Sequence, residues 1–395
     1  MSDLPYVAID LRGLQPGFKS HQGRGIGRYV RSLVAAMLPL DPDAHLAFVI
    51  EGAGDVRPFG RGLDGRTCRI EAPDWTDRFG GQSVHVRQHL TLPRALRPLP
   101  FDLFHFCSQT DAPATMSVPY VVTVLDLIPH RLPDLYVQGK SRARFRLGRW
   151  LERRALRRAR GLIAISEHTR RDLVSLLRIP EERIAVTPLG IDAHLAPAPE
   201  AAIAALCRRH QLSPGYLLYV GGIDRRKNVP FLLEVMRLLL EKRPETELVL
   251  AGNYRDDPDY PELIGRIQRS GLERAIRLLG FVAEDELAAL YSAAAVFVFP
   301  SLYEGFGLPP LEAMACGSPV VAADRTSLGE VLSPAAVLAD PTDAGGFARA
   351  VLSVIDVPSR RRELSEAGRR RAADFTWETT ARATLEAYRR FAAIG

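Results

Sequence analysis

Short β-rich runs alternate with helical segments along the chain, and the alternation stops once and then restarts. In the first half the strand-type runs are Tyr6–Ile9, Leu46–Ile50, Leu103–Phe106, Tyr120–Val124, Gly161–Ile165 and Ile184–Val186. Helical stretches such as Gly27–Pro39, Arg142–Arg160 and Glu167–Leu177 separate them. The small, proline-bearing segment Ala193–Pro199 reads as a linker. Beyond it come Tyr216–Val220, Val229–Glu241, Glu247–Ala251, Asp259–Ser270, Ile276–Leu279, Glu284–Ser292, Val296–Phe299, Leu308–Ala315 and Pro319–Ala322, with an amphipathic stretch, Thr376–Ala393, at the end. This pattern predicts βα units on mostly parallel sheets. At roughly 150 residues per domain, a chain of 395 residues accommodates two of them. The expected division is 1–195, 196–375 and a closing helix, 376–395, that packs back on the first domain. The fold class is α/β, two doubly wound domains facing a central cleft.

No apolar run reaches the roughly 18–20 residues of a membrane span. The longest, Ala293–Pro300, has the length of a buried strand. The N-terminus runs from Asp3 into Tyr6-Val7-Ala8-Ile9 without a signal-peptide pattern. Four cysteines (Cys68, Cys107, Cys207 and Cys316) form no C-x-x-C pair, so neither a disulfide framework nor a zinc site is expected, and a reducing cytoplasm fits. The formal charge is +6, and residues 140–160 hold ten Lys or Arg against one acid, Glu152. Such a stretch suits nucleic acid, an anionic membrane or an anionic substrate. Phe145, Leu147, Trp150, Leu151 and Leu156 interleave the arginines. As a helix the stretch has an apolar stripe beside a cationic surface, the pattern of an interfacial helix and equally of a solvated helix packed on its domain. No nucleic-acid recognition module accompanies it, so nucleic acid is not expected as a partner.

The segment Pro300-Ser301-Leu302-Tyr303-Glu304-Gly305-Phe306-Gly307-Leu308-Pro309-Pro310-Leu311-Glu312 carries the sharpest chemical signal. A buried-strand pattern runs into a glycine turn, and a helix then starts near Leu308, where Pro309 and Pro310 are tolerated in the first turn. Amides of Gly305, Phe306, Gly307 and Leu308 at that helix start form an anion site, at the strand ends where open α/β sheets bind ligands. Glu304 precedes the helix and Glu312 lies about one turn into it. Two carboxylates beside a phosphate would repel it, so they are expected to accept hydrogen bonds from hydroxyls at either end of a larger ligand. A nucleoside diphosphate sugar has such hydroxyls on its sugar and on its ribose.

Two acids seven residues apart around Gly-Phe-Gly-Leu-Pro, followed by Ala-Met-Ala-Cys-Gly-Ser-Pro-Val-Val, resemble the signature of the family 4 retaining glycosyltransferases, which have the GT-B fold. Leu217–Gly222 with Arg226-Lys227-Asn228 resembles the family's first strand and phosphate loop in the C-terminal domain. Leu248–Gly252 and Leu279-Gly280-Phe281-Val282 resemble its strands around the nucleotide base. Gly25-Ile26-Gly27-Arg28-Tyr29 resembles the N-terminal glycine loop of a subgroup containing bacterial surface-polysaccharide mannosyltransferases.

The resemblance implies a C-terminal domain that binds a nucleotide-sugar donor through Gly222, Gly280, Phe281, Gly305, Phe306, Gly307, Leu308 and Glu312. It implies an N-terminal domain that presents a saccharide or lipid-linked saccharide acceptor, and transfer with retention, mannose being the first donor sugar to consider. Arg226 and Lys227 are expected to neutralise the diphosphate and the leaving group. Many members have arginine where this chain has Gly222, so Arg225 or Arg226 takes that role. Gly25 and Gly27 lie in a segment, Gln22–Arg28, that is a poor fit to G-x-G-x-x-G; a loop whose amides approach the diphosphate fits better. Asp126, after the strand Tyr120–Val124, and Glu304 complete the expected catalytic set. Members commonly have histidine before this aspartate, where the chain has Leu125. His130 and His105 are candidates for a sugar contact or for ordinary core histidines. Asp41-Pro42-Asp43 and Asp257-Pro258-Asp259 read as turns rather than metal motifs, so neither cofactor nor metal is expected. A GT-B sugar-nucleotide epimerase or phosphorylase, or a non-catalytic sugar-nucleotide or polyanion binding protein, are the alternatives.

Overall fold

The structure, a computed structural model, describes residues 4–15, 25–52, 63, 65–71, 83–137 and 141–393. The chain divides into two compact units, one formed by Met1–Gly190 with Trp377–Gly395, the other by Ile191–Thr376.

The first unit is built on a seven-stranded sheet. Its strands are β1 (Val7–Asp10), β2 (Leu46–Glu51), β3 (Thr67–Ile70), β4 (Leu103–Phe106), β5 (Tyr120–Val124), β6 (Gly161–Ala164) and β7 (Ile184–Val186). They lie in the order β3-β2-β1-β4-β5-β6-β7, each pair parallel. The second unit has β8 (Leu217–Val220), β9 (Leu248–Ala251), β10 (Ile276–Gly280), β11 (Val296–Phe299), β12 (Val320–Ala323) and β13 (Val337–Ala339), ordered β10-β9-β8-β11-β12-β13 and again parallel. Central strands such as β4, β5, β11 and β12 are buried on both faces. Helices therefore cover both sides of each sheet, and the sequence of these strands is continuously apolar rather than alternating.

The helix Trp377–Ala392 belongs to the first unit. The Tyr29 and Trp377 rings lie 6.2 Å apart, and a Cβ on Gly161 of β6 would overlap the Phe391 ring. That contact requires glycine at the start of β6. Tyr388 reaches His105 on β4 with an O···N distance of 2.6 Å.

In both sheets the strand order reverses once, between β1 and β4 in the first unit and between β8 and β11 in the second. Connections leave in opposite directions at such a point, opening a crevice at the carboxyl ends of the two strands.

Candidate active site

The crevice of the second unit is lined by the loops that follow β8 and β11. After β8 the chain turns through Gly221, whose φ of 155° and close approach to Gly252 leave no room for side chains: a Cβ on Gly252 would overlap the Gly221 carbonyl. A single 3-10 turn, Arg225–Lys227, follows and ends at Asn228 in the left-handed conformation. Asn228 Nδ2 donates to the carbonyls of Pro300, at 3.4 Å, and Pro341, at 3.0 Å. The amide of Leu302 donates to the Arg226 carbonyl at 2.8 Å. The β8 and β11 loops are thus joined by one backbone bond and by the Asn228 side chain, which fixes where the side chains of the turn point.

That bonding brings Arg226, Lys227 and Glu304 together. Lys227 Nζ donates to Glu304 Oε1 at 2.7 Å, Arg226 Nη1 lies 3.0 Å from the same oxygen, and Ser301 Oγ donates to it at 2.6 Å. Arg226 also donates to the Tyr303 carbonyl at 3.0 Å and to Asp224 at 3.4 Å. The Lys227 ammonium sits 5.0 Å from the centre of the Phe299 ring, a cation–π contact. Burial on its own would raise the Glu304 carboxyl, but the charges of Lys227 and Arg226 outweigh it and hold the group below its ordinary value, so Glu304 is ionised. All three donors converge on Oε1. Two cations thus share one carboxylate oxygen at the switch point of the sheet.

Arg226 rather than Arg225 is the arginine in this cluster; Arg225 is over half exposed and its nearest acid is Asp259, at 4.0 Å. Gly222 contributes its carbonyl, which accepts from Tyr219. The helix Leu308–Ala315 starts where expected, preceded by Gly307 at φ 107°. Leu308 is half-buried and Gly305 and Gly307 are buried. Phe306 packs its ring edge-on against Phe375, 5.7 Å away, so its side chain is a core group and only its backbone is left for a ligand. Glu312 lies one turn into the helix, but its side chain turns into the unit and accepts from Tyr291 at 2.9 Å; it is only 3% exposed. Gly280 has φ 74° and its amide donates to Tyr254 at 3.0 Å. Next to it, Phe281 is 74% exposed, an unusual position for an aromatic ring.

In the first unit Gly25 and Gly27 occupy the first turn of the helix Gly25–Met37 rather than a loop, because Tyr29, Val30, Leu33 and Val34 extend a buried face back to Gly27. Gln22–Arg24 lie outside the described residues. Asp126 follows β5 and its Oδ1 accepts the Ile128 amide at 3.0 Å, starting the short helix Ile128–Arg131. Gln109, unremarked in the sequence, clamps this loop from the end of β4: it accepts the Leu125 amide at 3.1 Å and donates to the Asp126 carbonyl at 2.9 Å. His105 is a core residue. Fully buried, it bonds Thr123 at 2.8 Å on one side and Tyr388 on the other, and burial pulls its pKa down to about 3, so it is neutral. His130 pairs with Glu152 at 3.3 Å.

Both Asp-Pro-Asp segments are turns: Asp41 accepts the amides of His45 and Leu46, and Asp257 that of Asp259. Among the described residues one group, Asp192, His194 and Glu284, has ligand-type atoms within 4.8 Å of one another; it is largely solvated. No helix among the described residues is long and apolar enough to cross a membrane.

Residues 23–195 match the family model described as Glycosyltransferase Family 4, and residues 208–371 that described as Glycosyl transferases group 1. The O-antigen chain mannosyltransferase B of Escherichia coli is 37% identical over 58% of this chain and 61% of its own length. The serotype-specific mannosyltransferase WbdA of Escherichia coli is 31% identical over 98% of this chain and 48% of its own. The chain therefore spans about half to three fifths of these two relatives. Among solved structures, HepE from Anabaena, in complex with UDP and glucose, superposes with a TM-score of 0.72 at 18% identity, covering 97% of this chain and 98% of HepE. With two Rossmann-like units, two tandem family models and a relative aligned along 98% of this chain, the chain is a GT-B member of glycosyltransferase family 4.

Proposed function

We propose that this protein transfers a sugar, mannose in the first instance, from a nucleotide-sugar donor to a saccharide or lipid-linked saccharide acceptor, with retention, in cell-surface polysaccharide synthesis. The observation that carries the reading is the Arg226–Lys227–Glu304 cluster at the switch point of the second sheet. Its two cations receive the diphosphate, while Glu304 Oε2 accepts a hydroxyl of the donor sugar. Glu312, kept inward by Tyr291, backs the ribose end of the site, and Phe281 lies under the base. Fixed cations around a developing phosphate charge favour the transition state without reorganisation.

The acceptor oxygen bonds to the anomeric carbon as the bond from that carbon to the β-phosphate oxygen breaks, on the same face. The hydroxyl proton passes to the leaving phosphate oxygen. Positioning and leaving-group electrostatics supply the rate, and Asp126, which caps Ile128 after β5, is the first unit's candidate for contact with a reacting sugar. Arg226 and Lys227 provide the neutralisation for which other enzymes use a divalent ion, so activity is expected to survive chelators.

We further propose that the helix Arg142–Arg158 meets an anionic membrane. Leu147 and Trp150 project from it 56% and 55% exposed, and the Arg154 guanidinium lies 5.7 Å from the Trp150 ring. An apolar pair ringed by arginines suits a headgroup layer.

Thermal shift with GDP, UDP, ADP and dTDP sugars identifies the donor, and nucleotide release with and without saccharide acceptors tests the transfer. Slow hydrolysis of one donor, accelerated by an acceptor, is expected. Binding with no turnover under any acceptor would make the protein a sugar-nucleotide binder instead.

A further inference from the structure

A second cavity, in the first unit, has no role in the chemistry described so far. It measures about 280 Å³ and lies between the segment around Gln88 and His89 and the inner face of the helix Arg142–Arg158. Its floor is Gln109 and Thr110, just beyond the end of β4, on the strand that flanks the sheet's switch point. Small-molecule sites start at roughly 300 Å³, so the cavity suits one compact polar group, not a nucleotide.

Its walls are built of hydrogen-bonding side chains that the fold holds still. Gln88, 3% exposed, donates to the carbonyls of Thr110 and Ala112 at 3.0 and 2.8 Å. His89 Nδ1 accepts the Ala114 amide at 3.1 Å, which puts the proton of the neutral ring on Nε2. Glu152, 6% exposed, is bracketed by His130 and Arg149. A buried carboxylate beside an arginine and an imidazole offers acceptors and donors together. It would repel a phosphate, so the matching ligand is neutral and rich in hydroxyls.

Gly148 is the independent observation. It stands in the middle of a 17-residue helix, where glycine costs about 1 kcal/mol relative to alanine. No packing reason explains it: nothing lies within 4 Å of where its Cβ would be. That open space is the wall of the cavity, which Gly148 lines. A side chain there would project into the space the polar groups surround.

We propose that this cavity is a saccharide subsite that holds a neutral sugar residue of the acceptor. This rests on the transferase reading for the word acceptor, but not for the binding itself. The same helix presents Leu147 and Trp150 outward and Gly148, Arg149 and Glu152 inward, so it would face the membrane on one side and the sugar on the other.

The test uses the full chain saturated with the nucleoside diphosphate that binds it, and methyl glycosides of mannose, glucose, galactose and N-acetylglucosamine as probes. Saturation-transfer NMR should give a signal for at least one glycoside with the wild type. The signal should be lost in Gly148→Trp and reduced several-fold in Glu152→Gln, with nucleotide affinity within two-fold of wild type in both. Gly148→Ala should raise the melting temperature. No signal for any glycoside with the wild type, or a signal that survives Gly148→Trp in a folded protein, overturns the proposal. If Gly148→Trp does not fold, an unchanged signal in Glu152→Gln overturns it equally. Failure of every nucleotide to bind would defeat the donor reading instead and leave the glycoside result to be judged alone.

Discussion

Replacing Glu304 by glutamine separates the two things this carboxylate does. Lys227 and Arg226 lie 2.7 and 3.0 Å from one of its oxygens, and all three side chains are between 11% and 14% exposed. Removing one partner of a buried ion pair costs about 3–5 kcal/mol. Limited solvent access lets the two cations rehydrate in part, which argues for the lower end. At 2–4 °C per kcal/mol for a domain of this size, about 3 kcal/mol lowers the melting temperature by roughly 6–12 °C. Because Glu304 is held below its ordinary value in the folded protein, its stabilisation is complete above the unfolded-state pKa and is lost as pH falls through the lowered one. The glutamine variant should lack that acidic dependence. The two uncompensated cations should still take a nucleoside diphosphate, so the rise in melting temperature on adding it should be at least as large in Glu304→Gln as in the wild type. Turnover should fall by about 10²–10³, the loss of one transition-state contact. Scanning calorimetry with and without nucleotide, together with donor turnover, reads all of this. Wild-type turnover, or a nucleotide shift that disappears in a folded variant, would refute the reasoning.

Gly307→Ala should destabilise by about 1–3 kcal/mol, since φ is 107° and the new Cβ would lie 2.6 Å from Leu328 Cδ2; chemical denaturation measures it. His105, buried neutral with a pKa of about 3, keeps the folded state from binding a proton that the unfolded state takes up below about pH 6.5. Stability should therefore fall by about 1.4 kcal/mol per pH unit between roughly pH 6 and 4 from this group alone, a slope that His105→Gln should remove in pH-dependent denaturation. Vesicles of anionic lipid should pellet the wild type at low salt and release it at high salt, each cation near the surface being worth on the order of 1 kcal/mol. Changing Arg142, Arg144 and Arg146 to Glu should abolish co-sedimentation, and a wild type that stays in the supernatant at low salt would remove the membrane reading.

Elements that bury an apolar run or stripe were legible in the sequence, several to the residue: Leu103–Phe106, Tyr120–Val124, Glu167–Leu177, Val296–Phe299 and Leu308–Ala315. Not every element that escaped lacks an apolar face, since Ala344–Ile355 buries Phe347, Val351 and Leu352, but two of them bury little. β3, Thr-Cys-Arg-Ile, is a half-exposed edge strand, and the helix Pro358–Ala373 is mostly Arg, Glu and Ser with only Gly368 and Ala372 buried. Without an apolar face neither shows the period that distinguishes strand from helix. At the site, residues Pro300–Glu312 announced themselves because a strand, a glycine turn and a helix start leave a fixed order of residue types. Gln109 and Tyr291 did not, since each acts through a partner distant in sequence. The chain could not reveal that Phe306 and Glu312 point inward, because the pattern fixes the turn and not the packing of its side chains.

Transfer as proposed requires the donor diphosphate to sit on Arg226 and Lys227. A ³¹P NMR titration of the nucleoside diphosphate selected by thermal shift, into the wild type and into Arg226→Met/Lys227→Met, tests this most directly. A displaced and broadened β-phosphorus resonance is expected with the wild type, and a free-ligand spectrum at the same concentrations with the folded double variant. The same displacement with both proteins would contradict it.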